Sequence, residues 1–142
     1  MGHSDEYIRK LKVTSREAYN AIGEVFCPCL NTMVVFNAQG FHHMEYDGGG
    51  RARTTKEITH KLALLPFAPR VLATSTEIEL YKKDKIPKNR KQGACQKDVE
   101  YWAFVATVSV RGATKEKIRV IVRRVGSGKV LFWSVMKLRG KM

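Results

Sequence analysis

The sequence has no run of about 18 apolar residues that could span a bilayer, and its opening residues, MGHSDEYIRKLK, hold no apolar stretch of the signal-peptide kind. It reads as a cytosolic chain with no membrane segment. Cysteine is scarce: Cys27, Cys29 and Cys95 cannot all pair with one another, and Cys27-Pro28-Cys29 is not a Cys-x-x-Cys array. Buried, reduced thiols are expected, because a zinc site would need two further ligands and His42-His43 is the sole cluster on offer. Carboxylates are scarce too, and none are grouped as a two-metal centre would require. Gly126-Ser127-Gly128-Lys129 is not a phosphate loop, since Arg123 stands where the first glycine should be and Val130 replaces the hydroxyl residue. It reads as a hairpin turn, and neither a metal nor a cofactor is expected.

What is abundant is positive charge. Lys and Arg number 26 against 13 Asp and Glu, a formal net charge of +13. Solubility alone is served by a net charge of roughly 2–8 on a small domain, so this excess points to a polyanionic partner, nucleic acid ahead of an anionic membrane surface. The 142 residues, 44% of them hydrophobic, suffice for one domain over 1–142 with a proper core.

No repeat or low-complexity tract is visible, and the pattern turns from mixed to all-β near Thr74. Ser4 can open a short helix, prone to fraying, with Ile8 and Leu11 at helical spacing. Thr14-Ser15-Arg16-Glu17 matches a capping box for a second helix carrying Tyr19, Ile22 and Phe26 on one face, broken by Cys27-Pro28. Residues 32–36 read as a buried strand, 37–40 as a turn and 41–46 as a second strand, giving a small hairpin before the glycine loop 47–50. Thr54-Thr55-Lys56-Glu57 repeats the capping-box spacing ahead of Ile58, Leu62 and Leu65, on a helix that Pro66 ends or restarts. Residues 76–82 suit a strand, and 82–97, dense in Lys and Arg, read as a mobile basic loop. Such a loop is either a solvated surface or a track for phosphates.

From Val99 onward three strands of an antiparallel meander follow one another, turning at Gly112 and at Gly126-Ser127-Gly128. Alternation places Trp102, Phe104, Ala106 and Val108 with Ile118, Val120 and Val122 and with Leu131, Trp133 and Val135 on a face that packs on helices. The other face then carries Tyr101, Thr107 and Ser109, Arg119, Ile121 and Arg123, and Phe132, Ser134 and Met136. It is basic and aromatic together, as an RNA surface would be. A shift of one residue would exchange the two sets.

An imidazole is the side chain best matched to proton transfer at neutral pH, and His42 and His43 stand beside Arg51 and Arg53, just ahead of a helix N-terminus that favours anions. On a strand the two histidines would point to opposite faces, so one at most enters a given cleft. His60 and His3 read as bystanders. Arg forks match phosphate oxygens. A base to take the 2′-hydroxyl proton, Arg to meet charge developing on phosphorus and an acid for the departing 5′-oxygen would cleave RNA without metal.

The stretches GFHHMEYDGGGRARTTKEITHKLALLP and YWAFVATVSVRGATKEKIRVIVRRVGSGKVLFWSVMK resemble the phage and mobile-element nuclease-like domains grouped with barnase, EndoU, the colicin tRNA nucleases and RelE toxins. The likeness spans about residues 14–137: a His followed by an apolar residue, an Arg opening a helix, Leu-Leu-Pro, and a final Phe-Trp-Ser strand. It implies an α+β fold, with helices and a small hairpin on one face of a four-stranded antiparallel sheet and RNA on the other. By position it implies catalytic roles for His43, Arg53, Arg123 and Ser134. His42, Arg51, Lys61, Tyr101 and Arg119 are expected to contact substrate. The expected function is a metal-independent endoribonuclease of toxin or effector type acting on RNA, with tRNA as one candidate. The alternatives are a non-catalytic basic RNA- or DNA-binding module, and a protein whose basic surface meets an acidic antitoxin or inhibitor.

Overall fold

The structure, a computed structural model, describes residues 5–46, 50–87, 96–111 and 114–138. His3, Ser4, loop residues 47–49, residues 88–95 of the basic stretch with Cys95, and Gly112 lie outside the described residues.

Ile8, Leu11, Tyr19 and Ile22 recur at helical spacing on one unbroken helix, α1 (Asp5–Ile22). The break expected at Thr14 does not occur, because Ser15 falls in the same half-buried stripe and the periodicity runs through it. Gly23, at φ +66°, ends the helix in the left-handed conformation that glycine adopts without penalty. The chain then enters β1 (Glu24–Cys27) and β2 (Thr32–Val35), an antiparallel hairpin whose turn is Cys27-Pro28-Cys29-Leu30-Asn31. Proline here shapes a turn between strands and does not stop a helix.

The strand expected over 41–46 is a helix, α2 (Ala38–Glu45). The Asn37 side chain caps it by accepting from the amides of Gln39 at 3.1 Å and Gly40 at 3.4 Å. Phe41 and Met44, three apart, are its buried pair, a helical spacing that strict alternation would not give. The expected capping box at Thr54 is present: its hydroxyl accepts from the Glu57 amide at 3.2 Å while Glu57 Oε1 accepts from the Thr54 amide at 3.0 Å, opening α3 (Thr55–Leu64). Pro66 lies in a 3-10 turn (Leu65–Phe67), after which α4 (Ala68–Thr74) continues.

The remaining strands are β3 (Leu80–Pro87), β4 (Gln96–Arg111), β5 (Thr114–Val125) and β6 (Val130–Lys137). Much of the stretch expected to be a basic loop is thus strand, residues 82–87 pairing with 96–101. The sheet has six strands in the order β1-β2-β6-β5-β4-β3, not four. β3 to β6 form an antiparallel meander, but β2 runs parallel to β6, so the sheet is mixed. That parallel contact is short, Val34 with Val130 and Val35 with Leu131.

One apolar cluster joins Tyr19, Phe41, Met44, Ile58, Leu62 and Leu72 of the helices to Val34, Phe104, Ile118, Val120, Val122, Phe132 and Val135 of the sheet. Alternation predicted the inward set correctly on β4 and β5 and failed on the first half of β6. There the ladder jumps from Ile121–Ser134 to Val122–Phe132, leaving Trp133 as the extra residue of a β-bulge. Phe132 accordingly turns into the core, and Trp133 joins Ser134 on the open side. No helix among the described residues is long and apolar enough to cross a membrane.

Candidate active site

Since β2 covers only the start of β6, the rest of that strand's outer edge is met by helices. Gly40 of α2 lies so near the Phe132 backbone that a Cβ would collide with its carbonyl oxygen and stand 2.6 Å from the Tyr19 hydroxyl. That hydroxyl donates to the Asn37 carbonyl at 2.6 Å, tying α1 to the start of α2. Lys61 of α3 donates from Nζ to the Val135 carbonyl at 3.0 Å and to Ser134 Oγ at 3.2 Å. Through these contacts α2 and α3 bring side chains past the edge to the open face of the sheet.

His43, Arg53, Lys61, Tyr101, Trp133 and Ser134 line one cleft of about 410 Å³ there, with Leu80, Lys82, Ala103, Ile121 and Met136. His43 and Trp133 also line a neighbouring cleft, of about 440 Å³, with His42, Gln39 and Arg123. Among the described residues, no carboxylate lines either. Four cations do: Arg53, Lys61, Lys82 and Arg123.

The His43 ring stacks on Trp133, centroids 4.3 Å apart and planes 20° off parallel. Arg53 donates from Nε to the His43 carbonyl at 3.0 Å, and its Nη2 lies 3.4 Å from His43 Nε2, a contact that suits an unprotonated Nε2. The Arg53 amide also bonds the Glu45 carbonyl at 2.8 Å, and Tyr46 bridges Ala52, so residues 52–53 lie against the end of α2. The Arg123 guanidinium lies 4.1 Å from the Trp133 ring centre and 5.8 Å from that of Tyr101. Its Nε is buried with no hydrogen-bond partner among the described residues. Burial, with Arg53 close by, lowers the Lys61 ammonium to about 8. Ser134, only 4% exposed, orients that ammonium.

The four residues expected to be catalytic therefore come together at the two clefts, although His43 sits on a helix and not on a strand. His42, exposed, lines the second cleft and stacks on Tyr46 at 4.5 Å, one turn along α2. Lys61 and Tyr101 both line the first cleft. Arg119 lines neither cleft, and its Nε and Nη2 donate to the two Glu79 carboxylate oxygens at 3.0 and 2.7 Å. Arg51 is exposed and also lines neither. Sequence reasoning missed Trp133, which alternation had sent to the core, and Leu80 and Lys82, which reach the cleft by pairing of β3 with β4 at Ala103 and Tyr101. Nothing local in the sequence marks the bulge, and β3, with four consecutive charged residues at 82–85, has no apolar alternation to set its register.

Cys27 is buried and Cys29 half-buried, both free thiols, with Cys29 Sγ 3.2 Å from the Ser75 carbonyl. Among the described residues no three His, Cys, Asp or Glu side chains gather as a metal centre would require. Comparison with protein-family models, with curated proteins and with solved structures found no match to this chain.

Proposed function

We propose that the protein is a small endoribonuclease of toxin or effector type, of the nuclease-like group it resembles, cutting RNA by attack of the 2′-hydroxyl on the adjacent phosphorus. One observation supports this above the others: His43, Arg53, Lys61 and Ser134, from α2, the following loop, α3 and β6, line one cleft that no described carboxylate shares. A polyanion finds its charge met there, and two proton-transfer groups stand beside it.

In this reading the scissile phosphate draws Arg53 Nη2 off His43 Nε2, the freed Nε2 takes the 2′-hydroxyl proton, and the 2′-oxygen bonds to phosphorus as the bond to the 5′-oxygen breaks. Lys61, protonated below about pH 8, gives its proton to the leaving 5′-oxygen. Arg53 and Arg123 stabilise the charge that builds on the phosphoryl oxygens. Ser134 keeps the Lys61 ammonium aimed. The products are a 2′,3′-cyclic phosphate and a 5′-hydroxyl end.

The test is incubation of the protein and its His43→Ala variant with total RNA and with tRNA in excess EDTA, followed by chemical identification of the ends. Cyclic phosphate from the parent alone supports the reading. Intact RNA, retained by the protein in a salt-sensitive way, replaces it with a binding module whose affinity falls with a slope of roughly 0.7 per neutralised phosphate on a single strand.

A further inference from the structure

Three rows of side chains cross the open face in register. The middle row is Leu80, Ala103, Ile121 and Ser134, one from each of β3, β4, β5 and β6. On one side stand Lys82, Tyr101 and Arg123, and on the other Val105, Arg119 and Met136. Ala103, buried, has the smallest side chain of these ten residues and lines the 410 Å³ cleft together with Leu80, Tyr101, Met136 and Trp133. The lining thus combines apolar side chains with three cations, Arg53, Lys61 and Lys82.

We propose that this cleft is a slot for one unpaired nucleobase, next to the phosphate that His43 and Lys61 would act on, so that the substrate is single-stranded or looped RNA. The inference rests on the ribonuclease reading and narrows it. Three features of the cleft support it. The volume, about 410 Å³, is near the lower end of the ~300–1,000 Å³ typical of small-ligand clefts, room for one nucleoside and not for a duplex. Apolar and aromatic side chains beside cations complement a flat base carried on a charged backbone. The His43–Trp133 stack stands between this cleft and its neighbour, so a phosphate held there would have one nucleoside on each side. A base in an A-form helix is sealed in its stack and presents only an edge, so it could not enter.

The probe is a single-stranded oligodeoxynucleotide carrying one ribonucleotide, hence one cleavable linkage, compared with versions in which the base on the 5′ or the 3′ side of that linkage is absent. Loss of the base in the slot is expected to lower kcat/KM roughly 5- to 150-fold, and annealing the probe to its complement to do likewise. The Ala103→Phe variant, with the cleft filled, should cut the intact and the abasic probe at equally low rates. Where that variant fails to fold, the abasic comparison with the parent still decides. Equal cleavage of intact, abasic and duplex probes overturns the slot while leaving the ribonuclease reading in place. The converse is read by fluorescence anisotropy on the uncleavable all-deoxy probe: binding that weakens by the same factor without the base, in a protein that cuts no RNA, keeps the slot and overturns the nuclease.

Discussion

Replacing Lys61 by Met separates what this ammonium costs the fold from what it does in the cleft. In the unfolded chain Lys61 keeps its proton up to the ordinary lysine value of 10.5, and in the folded protein only to about 8. Between those values the unfolded state binds more protons, so the folded state gains stability as pH rises through that window. Full conversion of the shift gives a penalty of ~3 kcal/mol at pH 7, falling to ~1 kcal/mol at pH 10. Lys61 is half-buried, and solvent screening trims the pH-dependent part to about 1–2 kcal/mol. Met has nearly the same length and no charge, so the penalty disappears with the substitution. Against this, Ser134 Oγ and the Val135 carbonyl each lose a donor, a cost of about 1–3 kcal/mol that does not depend on pH. At neutral pH the two effects nearly cancel, and the signature lies in the trend. Urea unfolding of both proteins at pH 7 and pH 10 should show the stability of Lys61→Met relative to the parent falling by about 1–2 kcal/mol between the two. A difference that stays flat across that range refutes the burial of a charged Lys61. RNA cleavage should be lost in Lys61→Met at every pH, while Lys61→Arg should keep part of it and lose the decline above pH 8.

Gly40→Ala should destabilise by about 1–3 kcal/mol in urea unfolding, because the new methyl group meets the Phe132 backbone, and should lower cleavage by moving His43 off Trp133. Thr54→Ala removes one side of the capping box of α3 and should cost about 1 kcal/mol by the same assay, with little change in nuclease activity. Arg119→Ala, which breaks a two-pronged, partly exposed pair with Glu79, should cost about 1 kcal/mol and leave RNA cleavage at the parent rate. Cleavage that falls tenfold in that variant would place Arg119 in the site after all.

The parts of this structure that were legible in the sequence are those decided by neighbours close in the chain. The Thr54 capping box, the restart after Pro66 and the three strands of the meander each follow from residues within a few positions of one another. α1 was misread as two helices because the Thr14 signal, a real cap in isolation, is outweighed by a stripe of side chains that continues through it. Residues 41–46 were misread because short apolar runs do not distinguish strand from helix. What decides the case is Asn37 as a cap and the close approach of Gly40 to Phe132, a residue 92 positions away. The candidate site shows the same division. Its charges and histidine were visible as types, but the partnership of Lys61 with Ser134, the capture of Arg119 by Glu79 and the exposure of Trp133 are long-range facts.

The clefts form where the sheet is least regular, and the irregularities depend on one another. In an unbulged β6, alternation from Val135 would turn Trp133 inward and Phe132 outward, and the core would have to hold an indole where it now holds a ring stacked on Phe36 at 4.8 Å. The bulge reverses this for residues 131–133 while leaving Val120 opposite Val135, so two consecutive residues, Trp133 and Ser134, share the open side. One supplies the surface on which His43 lies flat, and the other the oxygen that holds Lys61. Neither contact could form if β2 paired with β6 along its whole length, since α2 and α3 reach the strand only along the edge that β2 leaves open. A bulge that forfeits ladder pairing and a helix that needs glycine at its closest approach both work against local stability. Together they serve the arrangement of His43, Lys61, Trp133 and Ser134, and local rules broken in concert around one cleft are where function is expected to lie.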